Sequence, residues 1–164
     1  MPKKSEIITS IYEYDDISEC STQTQELMVE AVTAREKAYA PYSQFQVGAA
    51  LLLENRKIIT GSNQENASYP AGLCAERTAI FYAGAKYPNL KIISLAITAS
   101  PVDKDNTKAV PPCGSCRQAI AEYEQKQKSP ISVYFMGKSG KVKMVKSLLS
   151  LLPLAFSDEF LKPL

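Results

Sequence analysis

The sequence of 164 residues contains no histidine. Without an imidazole side chain, the chain can build neither a Ser-His-Asp triad nor a Cys-His catalytic pair. Histidine is also the commonest nitrogen ligand of protein-bound metals, so a metal site in this chain has to use cysteine or carboxylate ligands. Cysteines and carboxylates are therefore the first side chains to search for chemistry.

The sequence also lacks the features of chains that grip nucleic acids or cross membranes. Its 19 basic and 17 acidic residues leave a net charge of only +2, whereas nucleic-acid-binding domains are strongly basic. No apolar run approaches the roughly 18 residues of a membrane span, and none near the N-terminus is long enough for a signal peptide. We therefore expect a cytoplasmic protein that binds neither nucleic acid nor membranes.

What the sequence does contain is enough apolar material for one compact domain, since 45% of its residues are hydrophobic. Residues 1–23 are polar and acidic without a clear period, and we expect an N-terminal extension that lies on the domain or frays. The remaining residues, 24–164, are expected to form the domain itself. No internal repeat, low-complexity tract or linker divides them.

Hydrophobic spacing along this domain predicts the order α-β-β-α-β-α-β-β. The first helix is expected to begin at a cap formed by Thr22 or Thr24 and to be stopped by Pro41. Strands are predicted at 45–53 and 57–61, joined as a hairpin. The strands on either side of the last long helix should be parallel and joined by a right-handed crossover. The fold class is therefore α/β, with a mixed sheet sandwiched by helices.

Two of the four cysteines, Cys113 and Cys116, form the stretch "PCGSC" just before a predicted helix. A Cys-x-x-Cys pair at a helix N-terminus can be a dithiol redox pair, because the helix dipole lowers the thiol pKa, or half of a metal site. In a reducing compartment the cysteines argue against a disulfide framework. The pair alone leaves both alternatives open.

The stretch "AGLCAERTA" favours the metal site, because Cys74 also stands at a predicted helix start. If both helix N-termini point to one place, three thiolates meet there, and a zinc ion with three protein ligands keeps a catalytic fourth position open. Glu76, two residues after Cys74, can reach that position without being a ligand and shuttle protons there. By itself, Glu76 would be better explained as a first-turn carboxylate that favours the helix dipole.

Cys-Ala-Glu followed by Pro-Cys-x-x-Cys resembles the all-cysteine signature of the zinc nucleobase deaminases. The stretches "AYAPYSQFQVGAALL", "GSNQENASYPAGLCAERTAI", "PPCGSCRQ" and "LLPLAF" are similar to the small homotetrameric cytidine deaminases. The resemblance runs from about residue 24 to 161; residues 1–23 have no counterpart in it, and the loop "SPVDKDNTKAVPP" is longer than usual. It implies a three-layer fold, one zinc ion per chain, and deamination of cytidine and 2′-deoxycytidine in pyrimidine salvage.

The resemblance also implies roles for individual residues. Cys74, Cys113 and Cys116 would hold zinc, and Glu76 would move protons between water, ring N3 and the departing ammonia. The backbone N–H of Ala75 would hold the pyrimidine O2. The side chains that would bind the rest of the nucleoside are Asn63 and Glu65 at the ribose hydroxyls, with Phe45, Tyr42, Tyr69 and Phe156 lining the pocket. The last two of these would come from neighbouring subunits of a homotetramer with shared active sites.

Charge balance adds a prediction about the surroundings of the cysteines. Three thiolates outweigh Zn²⁺ by one negative charge, which should make the metal a poorer acid for its water. Arg77, three residues after Cys74, can hydrogen-bond thiolate sulfurs, and the resemblance points to the same role. Gln118 is a second candidate for such a contact, and a surface ion pair is the alternative for Arg77.

Other functions remain open on the sequence. The nearest is a deaminase for another small cytosine compound, such as a nucleoside antibiotic. A deaminase of polynucleotides is disfavoured by the near-neutral charge. A zinc-stabilised binding module and a dithiol redox protein are alternatives from other classes, and metal analysis separates the redox protein, which needs no metal.

Overall fold

The computed structural model describes residues 2–161, so the last three residues of the predicted domain lie outside the described part. Its centre is one six-stranded sheet with the strand order β1-β6-β5-β4-β2-β3. Only the β4–β5 pair is parallel among the described strands, and all other neighbours are antiparallel. The strands are β1 (Tyr12–Tyr14), β2 (Phe45–Leu53), β3 (Ile58–Ser62), β4 (Ile92–Pro101), β5 (Ser132–Met136) and β6 (Val142–Val145).

Helices cover both faces of the sheet. They are α1 (Thr22–Arg35), α2 (Ala75–Lys86) and α3 (Gly114–Gln127). Short 3₁₀ turns lie at Ile17–Glu19, Tyr69–Ala71, Leu148–Leu151 and Asp158–Leu161. Alternate residues of β2 point to opposite faces, so Leu51 packs with α2 and α3 while Leu52 packs with α1. This three-layer arrangement confirms the predicted α/β fold with a mixed sheet between helices.

Helix α1 differs from its prediction at both ends. Its N-cap is Ser21, whose hydroxyl accepts from the Thr24 N–H at 3.3 Å, so the prediction of a threonine cap is wrong. The helix ends at Arg35, well before Pro41. It ends early because the chain turns to pair Tyr39 with the segment after β3: Tyr39 N–H donates to Asn63 O, and Glu65 N–H donates to Tyr39 O.

Part of the N-terminal segment joins the sheet. Strand β1 pairs with β6 as an edge strand, and Glu13 on it lies 2.6 Å from Lys141 Nζ and 3.4 Å from Lys143 Nζ. Cys20 is buried beside Met28 of α1. Within residues 2–161, no helix is long and apolar enough to cross a membrane.

Candidate active site

The N-termini of α2 and α3 meet at one place on the surface. Cys74 is the N-cap of α2 and Cys113 is the N-cap of α3, and Cys116 lies in the first turn of α3. The Sγ atoms of Cys74 and Cys113 are 3.9 Å apart, and all three Sγ atoms lie within 4.8 Å of one another. The three cysteines that the sequence singled out therefore form one cluster.

This cluster fits a zinc ion. Two sulfurs bound to the same tetrahedral zinc at about 2.3 Å lie about 3.8 Å apart, which is close to the 3.9 Å between Cys74 and Cys113. Thiolate sulfur is a soft donor that selects zinc over magnesium or calcium. In the described residues the group has three members, so a four-coordinate ion keeps one position for water or substrate.

Hydrogen bonds within the cluster favour a thiolate at Cys74. The pKa of Cys74 falls to about 5 because the Cys116 thiol and the Arg77 guanidinium hydrogen-bond its sulfur, against the opposing effect of burial. The same interaction with Cys74 raises the pKa of Cys116, and burial and Glu76 raise it further. One negative charge is thus already stabilised at Cys74, and a divalent cation would offset the charge of the other sulfurs.

Arg77 is oriented towards the cluster from the first turn of α2. Its Nη2 lies 3.7 Å from Cys74 Sγ, and this contact with Cys74 raises the pKa of Arg77. Its Nε is buried without a hydrogen-bond partner in the described structure. Arg77 thus faces the sulfurs and has a further donor for an acceptor at the cluster.

Glu76 is the buried acid of the site. The residue is only 4% exposed. Burial is the largest effect and raises the pKa of Glu76, so that the carboxyl can hold a proton more readily than an exposed one. The negative charge of Cys74 also raises the pKa of this carboxyl, whereas a hydrogen bond with Cys116 lowers it. A carboxyl of this kind, next to an open metal position, is suited to general acid–base chemistry.

A cavity of about 480 Å³ opens beside Cys74 and Arg77. Tyr42 and Tyr69 stand at its rim with their ring centroids 5.9 Å apart. Asn63, Glu65 and Ser43 also line it. The volume lies in the range of small-molecule sites, and several polar side chains line the cavity.

A family model described as "Cytidine and deoxycytidylate deaminase zinc-binding region" matches residues 21–130, which include the cluster, Glu76 and all residues that line the cavity. The chain belongs to this deaminase family. The match explains why three sulfurs, an adjacent buried acid and a polar cavity occur together.

Relatives in the deaminase family agree over most of the chain. Cytidine deaminase from Halalkalibacterium halodurans is 43% identical over 135 residues, covering 82% of this chain and 95% of the relative. Cytidine deaminase from Sporosarcina psychrophila is 42% identical over 135 residues, covering 82% of this chain and 92% of the relative. A crystal structure of cytidine deaminase from Burkholderia pseudomallei superposes with a TM-score of 0.69 and 40% identity, covering 80% of this chain and 97% of that one.

Two predicted sugar-binding residues of this deaminase chain also have roles inside the protein. Asn63 Oδ1 accepts from the Val47 N–H at 2.8 Å, and its Nδ2 donates to Phe45 O at 2.9 Å. Glu65 accepts hydrogen bonds from the turn before β2. Phe45 is half-buried at the start of β2, and Ala75 is fully buried at the start of α2.

Gln118 of α3 lies beside Phe156 of the C-terminal segment. The Gln118 Nε2 donates to the backbone oxygen of Phe156 at 3.1 Å, a contact that the sequence does not predict. The reason is that the C-terminal segment runs beside α3 and offers this side chain a free carbonyl. The Phe156 ring is 55% exposed and stacks on Phe160 with centroids 5.8 Å apart.

Two further residues support the site without having been identified from sequence. Arg117 Nε donates to Pro112 O and its Nη1 to Leu151 O, both at 2.9 Å, which fixes the residue before Cys113. The Ser43 hydroxyl donates a hydrogen bond to Glu65 Oε1. No local pattern marks either residue, because each acts through a partner that is distant along the chain or belongs to the backbone.

Proposed function

We propose that this chain catalyses the hydrolytic, zinc-dependent deamination of cytidine and 2′-deoxycytidine to uridine and 2′-deoxyuridine, with release of ammonia. The observation that carries the proposal is the buried Glu76 carboxyl directly beside a cluster of three cysteine sulfurs. The cytidine deaminases that match most of the chain support the choice of substrate. The reaction supplies uridine from cytidine, which is a step of pyrimidine salvage.

Cys74, Cys113 and Cys116 would hold the zinc ion, which when bound supplies a Lewis acid that makes water nucleophilic near neutral pH. Glu76 takes a proton from the attacking water as oxygen bonds to C4 of the cytosine ring. The same carboxyl delivers a proton to ring N3. After the second water proton passes to the amino nitrogen by way of Glu76, the C4–N bond breaks, ammonia leaves and the uracil ring remains. Burial raises the pKa of Glu76, which favours the uptake of a proton by this carboxyl.

The first turn of α2 offers a donor for the pyrimidine ring. Ala75 is the first residue of the helix, so its N–H has no acceptor within the helix. The N-terminal end of the helix dipole favours an electronegative atom there. Ala75 is adjacent to both Cys74 and Glu76, and its amide is proposed to hold the pyrimidine O2 while C4 faces the proton carrier.

Asn63 and Glu65 retain the hydrogen-bonding capacity that a sugar needs. The Asn63 amide has two N–H donors and uses one of them on Phe45 O. In Glu65, Oε2 accepts from two backbone N–H groups, while Oε1 accepts from one hydroxyl. A free N–H and a free lone pair therefore remain for sugar hydroxyls. Phe45, Tyr42 and Tyr69 are proposed to pack against the nucleoside.

Assembly as a homotetramer with shared active sites is part of the proposal, with Tyr69 and Phe156 reaching neighbouring pockets. It is supported by the exposure of these rings, 75% and 55% in the single chain. Gln118 and Arg77 remain candidates for contacts around the metal cluster. All of these residues fall within the proposed catalytic domain, 24–164, which follows the extension 1–23.

A cytoplasmic location is also proposed. It is supported by Cys20, Cys74, Cys113 and Cys116, which are all free thiols, as is usual in a reducing compartment. No nucleic acid or membrane partner is proposed.

The decisive experiment is a spectroscopic assay of the purified, zinc-analysed chain with cytidine. We expect the ultraviolet absorbance of cytidine to fall as uridine forms, with one ammonia released per turnover and one zinc per chain. 2′-Deoxycytidine should react as well. Deoxycytidylate, the 5′-phosphate of that nucleoside, is the comparison compound that tests whether the chain acts on nucleosides or on nucleotides. Turnover of deoxycytidylate without turnover of either nucleoside, or a zinc-free chain with full thiol redox activity, would refute the proposal.

A further inference from the structure

The turn of residues 41–44 forms part of the cavity wall through Tyr42 and Ser43 and leads into Phe45 at the start of β2. Its fourth residue, Gln44, has a φ of +52°, in the left-handed region that non-glycine residues rarely adopt. Such a conformation persists only where surrounding contacts fix it. The contacts that fix this turn therefore also fix the position of Tyr42 and Ser43 in the cavity wall.

Glu65, which follows β3, supplies three of the hydrogen bonds that hold this turn. Its Oε2 accepts from the backbone N–H of Tyr42 at 2.9 Å and of Ser43 at 3.2 Å. The Ser43 hydroxyl donates to Oε1 of the same carboxylate. Both carboxylate oxygens are thus held by two consecutive residues of the turn, although Glu65 is more than twenty residues away in the chain.

The Ser43 hydroxyl has a fixed direction. Its oxygen accepts from the Phe45 N–H at 3.1 Å, so its single proton is directed at Glu65. The hydrogen bonds that Glu65 accepts from this turn lower its pKa and keep the carboxylate ionised, and the bond from the Ser43 hydroxyl has the largest effect. An ionised carboxylate oxygen held by one hydroxyl still has a lone pair for a second hydroxyl.

We propose that Ser43 is a positioning residue for the sugar of the nucleoside: its hydroxyl orients Glu65 Oε1 towards the sugar hydroxyls and ties the turn that carries Tyr42 to that carboxylate. This inference rests on the proposed function, because it concerns the same cavity. Ser43 contacts neither the reacting ring nor the metal cluster. Its loss therefore affects nucleoside binding and leaves the chemical step intact.

The test combines Ser43→Ala with a nucleoside that lacks the 2′ and 3′ hydroxyls of the sugar. We expect the KM for cytidine to rise about 10-fold, the scale of one hydrogen bond to a charged group, with kcat changed less than twofold. 2′,3′-Dideoxycytidine, measured as a competitor of cytidine, should lose less than twofold in affinity. Ser43→Thr keeps the hydroxyl and should restore most of the affinity for cytidine. Ser139→Ala, at an exposed position in the β5–β6 turn, is the matched control and should change neither value.

Equal losses for cytidine and the dideoxy competitor would overturn the inference, because they would mean that Ser43 only shapes the wall. A fall in kcat without a change in KM, or no rescue by Ser43→Thr in a folded protein, would overturn it as well. The affinity of uridine and 2′,3′-dideoxyuridine, measured by calorimetry, repeats the comparison without turnover. Failure of the proposed function is distinguishable, since the unmodified chain would then not deaminate cytidine at all.

Discussion

Two consecutive side chains of α2, an acid and a guanidinium, face the cysteine cluster and differ in how readily they exchange a proton. Glu76 is buried, and its burial raises its pKa. Arg77 stays charged and donates to Cys74 Sγ at 3.7 Å. The acid can exchange protons with a substrate, whereas the guanidinium offsets thiolate charge. These different environments lead to different predictions for the two residues.

Glu76→Gln should retain the fold and one zinc per chain, but kcat should fall at least ~10²–10⁴-fold, the contribution of general acid–base catalysis. The amide has nearly the same shape as the carboxyl and cannot carry the proton. Metal analysis and the absorbance assay measure the two quantities. Glu122→Gln, at an exposed position on α3, should behave like the unmodified chain. Near-normal turnover by zinc-loaded Glu76→Gln would falsify the assignment of Glu76.

Arg77→Ala should weaken zinc retention or activity by about 10–100-fold, the usual effect of removing a residue that hydrogen-bonds a metal ligand. The reason is that three thiolates exceed the charge of one zinc ion. Competition with a chelator reports the zinc off-rate. Lys86→Ala removes an exposed cation from the last turn of the same helix and should leave it unchanged. An unchanged off-rate and unchanged activity in Arg77→Ala would mean that Arg77 has no role at the metal.

At the scale of elements, two glycines let helices approach the sheet from opposite faces. A Cβ on Gly48 of β2 would lie 2.1 Å from Ala31 O of α1. A Cβ on Gly61 of β3 would lie 2.6 Å from both Ala75 O and Ala79 N of α2. The atoms in the way are backbone atoms, so the helix itself would have to move. Helix α2 begins directly after Cys74, so its distance from the sheet also places a metal ligand.

Gly48→Ala and Gly61→Ala should each lower the free energy of unfolding by about 1–3 kcal/mol, the usual cost of overpacking. Only Gly61→Ala should also accelerate zinc loss, because it displaces the helix that carries the Cys74 cap. Urea denaturation and chelator competition measure the two effects. In Gly114→Ala the added methyl group meets nothing within 4 Å, so its stability should stay near that of the unmodified chain. Equal zinc retention in the two destabilised variants would contradict this view of α2.

At the scale of the whole molecule, several large rings remain exposed outside the cavity. Phe81 and Tyr82 on α2 are 45% and 54% exposed, and Phe156 and Phe160 near the C-terminus are 55% and 70% exposed. Exposed apolar side chains that lie close together commonly mark interfaces. Phe156 is not among the residues that line the cavity of its own chain. Both observations support a shared site in the proposed homotetramer.

Complementation tests that sharing. Glu76→Ala and Phe156→Ala should each be poorly active alone, and they are then unfolded and refolded together. Hybrid tetramers would contain pockets with Glu76 from one chain and Phe156 from another, so activity should exceed the sum of the two parents. A mixture of Glu76→Ala with Glu76→Gln is the control and should show no gain. No gain despite hybrids proven by mass spectrometry would mean that Phe156 serves its own pocket or none.

The sequence by itself determined the features that depend on neighbours along the chain. The residues of β2 are the predicted ones, because a continuous apolar run bounded by turn residues is a local signal. Cys74, Glu76 and Cys113 were placed at helix starts for the same reason, since a helix N-terminus is set within one turn. The resemblance of these stretches to a known family was also local, and the family match confirmed it.

The tertiary structure alone decided the contacts between distant residues. It ended α1 at Arg35, because Tyr39 pairs with the segment after β3. It paired the three-residue strand β1 with β6, a strand too short to show an alternating pattern. It gave Gln118 a carbonyl partner and joined Ser43 to Glu65. Such hydrogen bonds depend on how separate elements are brought together by burial of the core, and no local periodicity encodes that arrangement.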